Sequence, residues 1–256
     1  MAKTTSKKPG TALIPWEQEL AADAAKQSAA PASGGERAFF SISKGTLKFD
    51  GAKVKDNKTD VVILDFAYVN AFYPGAFKEG ETQSPVCSAI ARDKLELAPD
   101  NTVEDKQSDE CAGCPQNEFG SKGDGSNAKA CGNKLRLAVI SAAELEEPEG
   151  IANAQIAYIM VPPTSLKAFG NYFKETCEGA RGVRVKPIYA VATTISLDGF
   201  ALSFEEAEGY EIDRPTYTLL KAKVTKMGDD VLFPFPKFEE TKGKKVAVKE
   251  KSKRKF

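Results

Sequence analysis

Val61-Val-Ile-Leu-Asp-Phe-Ala-Tyr-Val69 is the run on which the fold turns. Its β-branched, aromatic and aliphatic side chains, with one acid among them, read as a strand buried on much of both faces. Upstream, Phe39 to Phe49, then Asp50-Gly51, then Ala52-Lys-Val reads as a hairpin, because Asp-Gly supplies the positive φ angles of a type I′ turn. Downstream, strand-like runs recur at Ser84 to Ala91, Lys134 to Ile140, Gln155 to Val161, Val183 to Leu197 and Phe200 to Glu206. One helix interrupts them. Pro162-Pro163 stops a strand, Thr164 caps, and Leu166, Phe169, Phe173 and Cys177 form an apolar stripe as far as about Glu178. Cys177 on that stripe reads as a small buried hydrophobe. Pro215 to Lys226, with its Thr, Tyr and Val content, reads as either a final helix or an extended segment. Short strands around one central helix predict a mainly β chain with minor α+β character. The preferred version is an OB-fold-like β-barrel, a five-stranded Greek key that accepts a helix between two strands and long loop insertions. A generic sandwich is the alternative.

Residues 92 to 130 are polar and glycine-rich, too long for a plain loop in a compact domain unless something organises them. Cysteine spacing supplies the organiser. Cys87, Cys111-Ala-Gly-Cys114 and Cys131 bracket the excursion, and Gly113 lets the C-x2-C turn fold round an ion. Four thiolates with no open position describe a structural zinc site, an inserted zinc loop over residues 87 to 131. The chain has no histidine, so a mixed site is impossible. Disulfides are the first rival. Met1-Ala-Lys-Thr-Thr-Ser-Lys-Lys is followed by no apolar stretch of signal-peptide length, and no segment approaches a membrane span. A reducing cytosol is therefore expected, where clustered cysteines more often hold metal than pair. An iron–sulfur cluster takes the same four ligands, but its familiar spacings are absent. A deaminase-type catalytic zinc needs P-C-x-x-C and a Glu two residues after another ligand. Here Glu110 precedes Cys111, and Ala89 stands where that Glu would fall.

The 256 residues carry 36 basic and 36 acidic side chains, and could form one large domain or two small ones. The balance hides an asymmetry. Lys237 to Phe256 holds nine basic and three acidic residues, a net of +6, so the rest of the chain carries −6. A basic arm on an acidic body suits polyanions, and a simply solvated terminus is the plain alternative. Residues 1–36 are Ala/Ser/Lys/Gly-rich and read as a disordered arm. The exception is a short helix near 15–25, where Pro15 suits the first position, acids follow, and Trp16 and Leu20 lie four apart. The expected organisation is an N-terminal arm (1–36), a β domain (37–236) and a basic disordered tail (237–256).

No active site assembles. There is no histidine for neutral-pH proton transfer, no Walker loop, no G-x-S-x-G and no G-x-G-x-x-G after a strand. Glu205-Glu206 and Asp229-Asp230 are adjacent acids of the kind water usually solvates. A non-enzymatic chain is expected. Binding has more to stand on. Lys134 and Arg136 share one strand face, Lys122 and Lys129 are close in sequence, and the second strand with its turn offers Phe66, Tyr68, Phe72 and Tyr73. Cations track phosphates and aromatic faces stack bases at roughly 1–3 kcal/mol each, the mixture that single-stranded nucleic acid needs. Phe66 and Tyr68 share a face and read as core. Phe72 and Tyr73, beside Asn70 and Pro74-Gly75, read as the stacking pair. The nucleic-acid-binding set is therefore Phe72, Tyr73, Lys122, Lys129, Lys134 and Arg136, with Cys87, Cys111, Cys114 and Cys131 as metal ligands.

Pro85-Val-Cys87, Cys111-x-x-Cys114-Pro-Gln-Asn-x-Phe-Gly-Ser121, Lys129-Ala-Cys131-x-Asn-Lys-x-Arg-Leu-Ala138 and Val161-Pro-Pro-Thr-Ser-Leu-Lys-x-Phe169 resemble a group of tailed-bacteriophage proteins encoded among replication genes. The resemblance runs over roughly residues 37 to 206 and is most specific in the cysteine block. It implies a phage origin, a place in the host cell cytoplasm and a role on DNA. A zinc loop inside an oligonucleotide-binding barrel is also similar to phage and eukaryotic single-stranded DNA-binding proteins. Phage proteins of that kind often end in an acidic tail with a terminal aromatic. This chain ends in Phe256 on a basic tail, which suggests contact with nucleic acid in place of partner recruitment. The expected function is single-stranded DNA binding in phage replication or recombination, with a structural Zn2+ and no membrane. The alternative is a zinc-containing adaptor of the phage replication or transcription machinery, its knot and Trp16 helix gripping a polymerase, primase or helicase.

Overall fold

The structure, a computed structural model, describes residues 37–75, 83–179, 182–183 and 185–236. The N-terminal arm with its expected helix and the basic tail lie outside the described residues. Nine strands form one mixed sheet: β1 (Ala38–Ser43), β2 (Thr46–Phe49), β3 (Ala52–Lys53), β4 (Lys58–Phe72), β5 (Cys87–Ala91), β6 (Cys131–Ser141), β7 (Ala157–Val161), β8 (Ala192–Asp198) and β9 (Ala201–Glu206). Among the described residues three α-helices accompany it: α1 (Pro148–Asn153), α2 (Leu166–Cys177) and α3 (Arg214–Met227). The chain is mainly β.

β4 is the spine. The strand path runs β3-β2-β1-β7-β6-β4-β8-β9, and β5 joins β4 off that path. Along one edge β4 pairs with β6 from Val61 to Phe72. Along the other it pairs first with β8, through Lys58↔Ser196 to Val62↔Ala192, and then with β5, through Tyr68↔Ala91 to Phe72↔Cys87. Only β1 and β7 pair in parallel. A bulge between Ile63 and Asp65 inserts Leu64 and shifts the alternation by one residue. Val61 and Ile63 before the bulge therefore share the inner face with Phe66 and Tyr68 after it. Val62, Leu64 and Ala67 face outward, where α1 and α3 cover them through Ile151, Leu220 and Met227.

The sheet curls into a half-barrel. Phe40, Leu47 and Phe49 from one end of the path and Leu202 and Phe204 from the other enter the same inner core. The β1–β2 turn also comes so close to the β8–β9 turn that a Cβ on Gly45 would lie 3.4 Å from the Gly199 carbonyl. α2 closes the inner core with Phe169, Tyr172 and Cys177, the last fully buried. The Ser165 hydroxyl at its start accepts from the Leu202 amide at 2.7 Å and ties the helix to β9.

Two elements differ from the sequence expectation, and a third resolves an ambiguity in it. Phe39 to Phe49 is two strands, because Lys44 and Gly45 both take positive φ (52° and 69°) and make a second tight turn ahead of Asp50-Gly51. The strand expected from Val183 begins only at Ala192, since Pro187 leads into a 3₁₀ turn at Ile188–Ala190. The ambiguous segment near Pro215 is helix α3: Asp213 caps it by accepting from the Thr216 amide, and Leu220 and Met227 are buried along it.

Candidate metal centre and adjoining groove

Strand register brings two of the four cysteines together. Cys87 opens β5 and Cys131 opens β6, and each is the Cα partner of Phe72, one on either side of β4. Side chains opposite one another in a sheet point to one face, so both thiols share the inner face with Phe72. The other pair arrives on a tight turn. The Cys111 amide donates to Leu97 O at 3.0 Å, Gly113 takes φ +77°, and Cys114 leads into a 3₁₀ turn at Pro115–Asn117. Asn117 staples this turn, its side-chain amide donating to Cys111 O at 2.9 Å and its backbone N–H to Cys114 O at 2.8 Å.

All four thiols are buried and line one cavity of about 10 Å³. Among the described residues no three Cys, Asp or Glu side chains already form a coordination set, yet the four sulfurs are neighbours by two independent criteria. They share the cavity, and strand register sets Cys87 and Cys131 on either side of Phe72. A Zn–S bond of about 2.3 Å would require the four sulfurs to stand roughly 3.8 Å apart. Burial, then the neighbouring thiols, pushes Cys131 up to about 12, and burial likewise raises Cys111. A hydrogen bond from the Asn70 side chain opposes that rise at Cys111. Asn70 is set for this donation because its oxygen is already occupied, accepting from the Asn133 amide at 2.7 Å. Four buried thiols with an oriented outer amide are the donor types of a tetrahedral thiolate metal site.

Beside the cavity lies a groove of about 660 Å³. Its floor is the end of the inner face, with Phe66, Tyr68 and Asn70 from β4 and Asn133 and Leu135 from β6. One wall is α2, through Phe169, Phe173 and Lys174. The facing wall is the cysteine excursion itself, through Lys94, Leu97, Cys111, Asn117 and Lys129. Asn70, Cys111 and Asn117 thus border both cavity and groove. Phe66 stands edge-on to Tyr68, Phe169 and Phe173 at 5.4–6.2 Å between centroids, which fixes the aromatic floor.

The chain matches no family model, and neither curated proteins nor solved structures include a match to it.

The residues expected to bind nucleic acid are dispersed. Lys129 lines the groove, its ammonium 3.1 Å from the Asn117 side-chain oxygen and 4.8 Å from the Phe119 ring centroid. Lys122 is exposed and pairs with Asp124 at 3.0 Å. Phe72 walls the cysteine cavity, and Tyr73 lies just past the end of β4 at 36% exposure. Lys134 borders the groove through its place on β6, but its side chain runs beside Gly132 toward the outer face, and burial pulls its ammonium down. Arg136 is 2% exposed. Its guanidinium donates to the Val231 and Phe233 carbonyls and stacks 3.6 Å from the Phe233 ring centroid, so it clamps residues 231–236, the C-terminal strap, from the buried side. The groove instead uses Phe66, Tyr68, Asn70, Lys94 and Lys174, which the sequence reading placed in the core or passed over. The signal was present: positions 66, 68, 70 and 72 alternate onto the face that carries Cys87 and Cys131, with a polar Asn70 where a core strand would be apolar.

Proposed function

We propose that this chain binds single-stranded DNA in the aromatic groove, with a structural zinc on Cys87, Cys111, Cys114 and Cys131 bracing the groove's outer wall. The observation that carries the reading is the shared border: Asn70, Cys111 and Asn117 belong to both the thiol cavity and the groove. An aromatic floor flanked by Lys94, Lys129 and Lys174 offers stacking and phosphate contact together. Asn70 and Asn133 add amides able to meet base edges. The thiolates would hold the metal closed to substrate, so its part is to fix residues 92 to 130, a contribution on the order of 10 kcal/mol for zinc sites of this type.

The strand order supports the finer fold reading as well. β4, β6 and β7, then α2, then β8 and β9, follow the order and antiparallel pairing of an oligonucleotide-binding barrel, with the helix after the third strand. The barrel's parallel closure is replaced here by β1, which pairs in parallel with β7. In that scheme the cysteine excursion is the loop between the first and second barrel strands, one of the loops such folds use for nucleic acid. Together with the resemblance in the cysteine block, this favours a phage replication or recombination protein acting in the host cytoplasm. A second reading, an adaptor for a phage polymerase, primase or helicase, has its own observation: Leu95 and Phe119 on the excursion are 88% and 73% exposed.

Fluorescence anisotropy with a labelled oligonucleotide separates them. Tyr68→Ala should weaken binding by about 1–3 kcal/mol, the range of one lost stacking contact, whereas Lys44→Ala on a distant turn should leave it unchanged. Equal affinity for wild type and Tyr68→Ala would remove the groove from the account.

A further inference from the structure

We propose that a second groove, on the other side of β5, is the docking site of the chain's own C-terminal segment, residues 237–256. This groove encloses about 890 Å³ between β5, the 98–105 segment and the C-terminal strap. Its walls are apolar, through Val86, Ile90, Val103, Leu232 and Phe235, and Asp100, Glu104 and Asp105 line it as well. Among the described residues no lysine or arginine lines it. Ile90 alternates with Ala89 on β5, so this groove and the aromatic one lie on opposite faces of that strand.

Occupancy follows from where the chain leaves. Arg136 clamps the strap by its carbonyls at Val231 and Phe233, and the Ser84 hydroxyl donates to Pro236 O at 2.8 Å. Pro234 and Pro236 themselves line the groove, so the described residues end at its edge. The segment that follows is complementary in both respects. It has a net charge of +6 against three carboxylates, and Val246-Ala-Val248 sits between Lys244-Lys245 and Lys249, apolar among cations as the groove is apolar among acids. Ten extended residues span at most about 33–36 Å, which sets the reach of Val246 from the groove's edge. Docked there, the tail's lysines are held away from the nucleic-acid groove until a stronger polyanion draws them off.

The test is limited trypsin digestion of the full chain without nucleic acid, following cleavage at Lys242 to Lys251 by mass spectrometry. It is independent of the DNA-binding reading, since no DNA is present. The comparison is Asp100→Asn/Glu104→Gln/Asp105→Asn, which keeps the oxygen that Asp100 offers to the Thr102 amide. Wild-type tail cleavage should be slower by about fivefold to tenfold at low ionic strength, because cleavage tracks the undocked population. The protection should vanish in about 1 M salt, where the screening length falls to about 3 Å. Equal tail cleavage in the two proteins, with their thermal midpoints unchanged, would overturn the proposal. Protection that grows with protein concentration would overturn docking in cis and assign the groove to the tail of a second copy.

Discussion

At the scale of single residues, two asparagines and one arginine carry more of the account than their types suggest. Asn70 interrupts an apolar strand, and its amide is oriented by Asn133 to donate toward Cys111. Outer partners of metal ligands are typically worth about 10–100-fold in metal affinity. Asn70→Ala should therefore weaken zinc binding by that factor in a chelator competition while far-UV circular dichroism stays unchanged. Arg136 makes the opposite point. In sequence it looked like a surface cation on an alternating strand; in the fold it is buried, and its Nε finds no hydrogen-bond partner among the described residues. Arg136→Ala would strand two carbonyls and should cost roughly 2–4 kcal/mol in denaturant unfolding. If Arg136 served the ligand instead, the substitution would spare stability and change the salt dependence of binding. Nothing local distinguishes Lys134-Leu-Arg136 from a solvated strand, because what buries Arg136 is Phe233, nearly a hundred residues away, and long-range contacts of that kind leave no trace in strand periodicity.

At the scale of elements, contacts join the two ends of the described residues. Asp230, in the turn after α3, accepts from Arg37 at 2.8 Å and from the Tyr158 hydroxyl. Burial alone would raise this carboxyl, but the hydrogen bonds from Arg37 and Tyr158 and the nearby Arg136 charge hold it below the ordinary value of 3.8. A carboxyl depressed in the folded state stabilises fully above its unfolded pKa and loses that contribution as pH falls through the folded value. Asp230→Asn should accordingly lower the thermal midpoint at neutral pH and leave the difference from wild type shrinking below about pH 4. A difference that stays constant down to pH 2 would contradict that linkage. The same scale shows what could be read in advance. β4 was legible because its apolar run is long and β-branched, and α2 because its stripe follows two prolines. α3 was not, since Thr, Tyr and Val argue for extension; the Asp213 cap and burial of Leu220 against the outer face decide it. α1 is six residues long, too short to show periodicity. The bulge at Leu64 was equally hidden, and it is what turns Phe66 and Tyr68 onto the groove face.

For the whole molecule, the half-barrel supplies a curved floor and the cysteine excursion supplies a wall, so metal and ligand should be linked. Metal analysis of the purified protein should find one zinc per chain. Stripping it with a chelator should lower the thermal midpoint and sharply reduce oligonucleotide affinity together, since residues 92 to 130 would lose their organiser. Loss of stability without loss of affinity would separate the wall from the ligand. Every part of the account meets in one titration. A labelled single-stranded oligonucleotide is titrated with the zinc-loaded protein across a salt series, with duplex of the same sequence in parallel. The account predicts tight single-strand binding at low salt, a log–log salt slope of about −0.7 per phosphate contact, and weaker binding to duplex. No binding at low salt, or a preference for duplex, would contradict it.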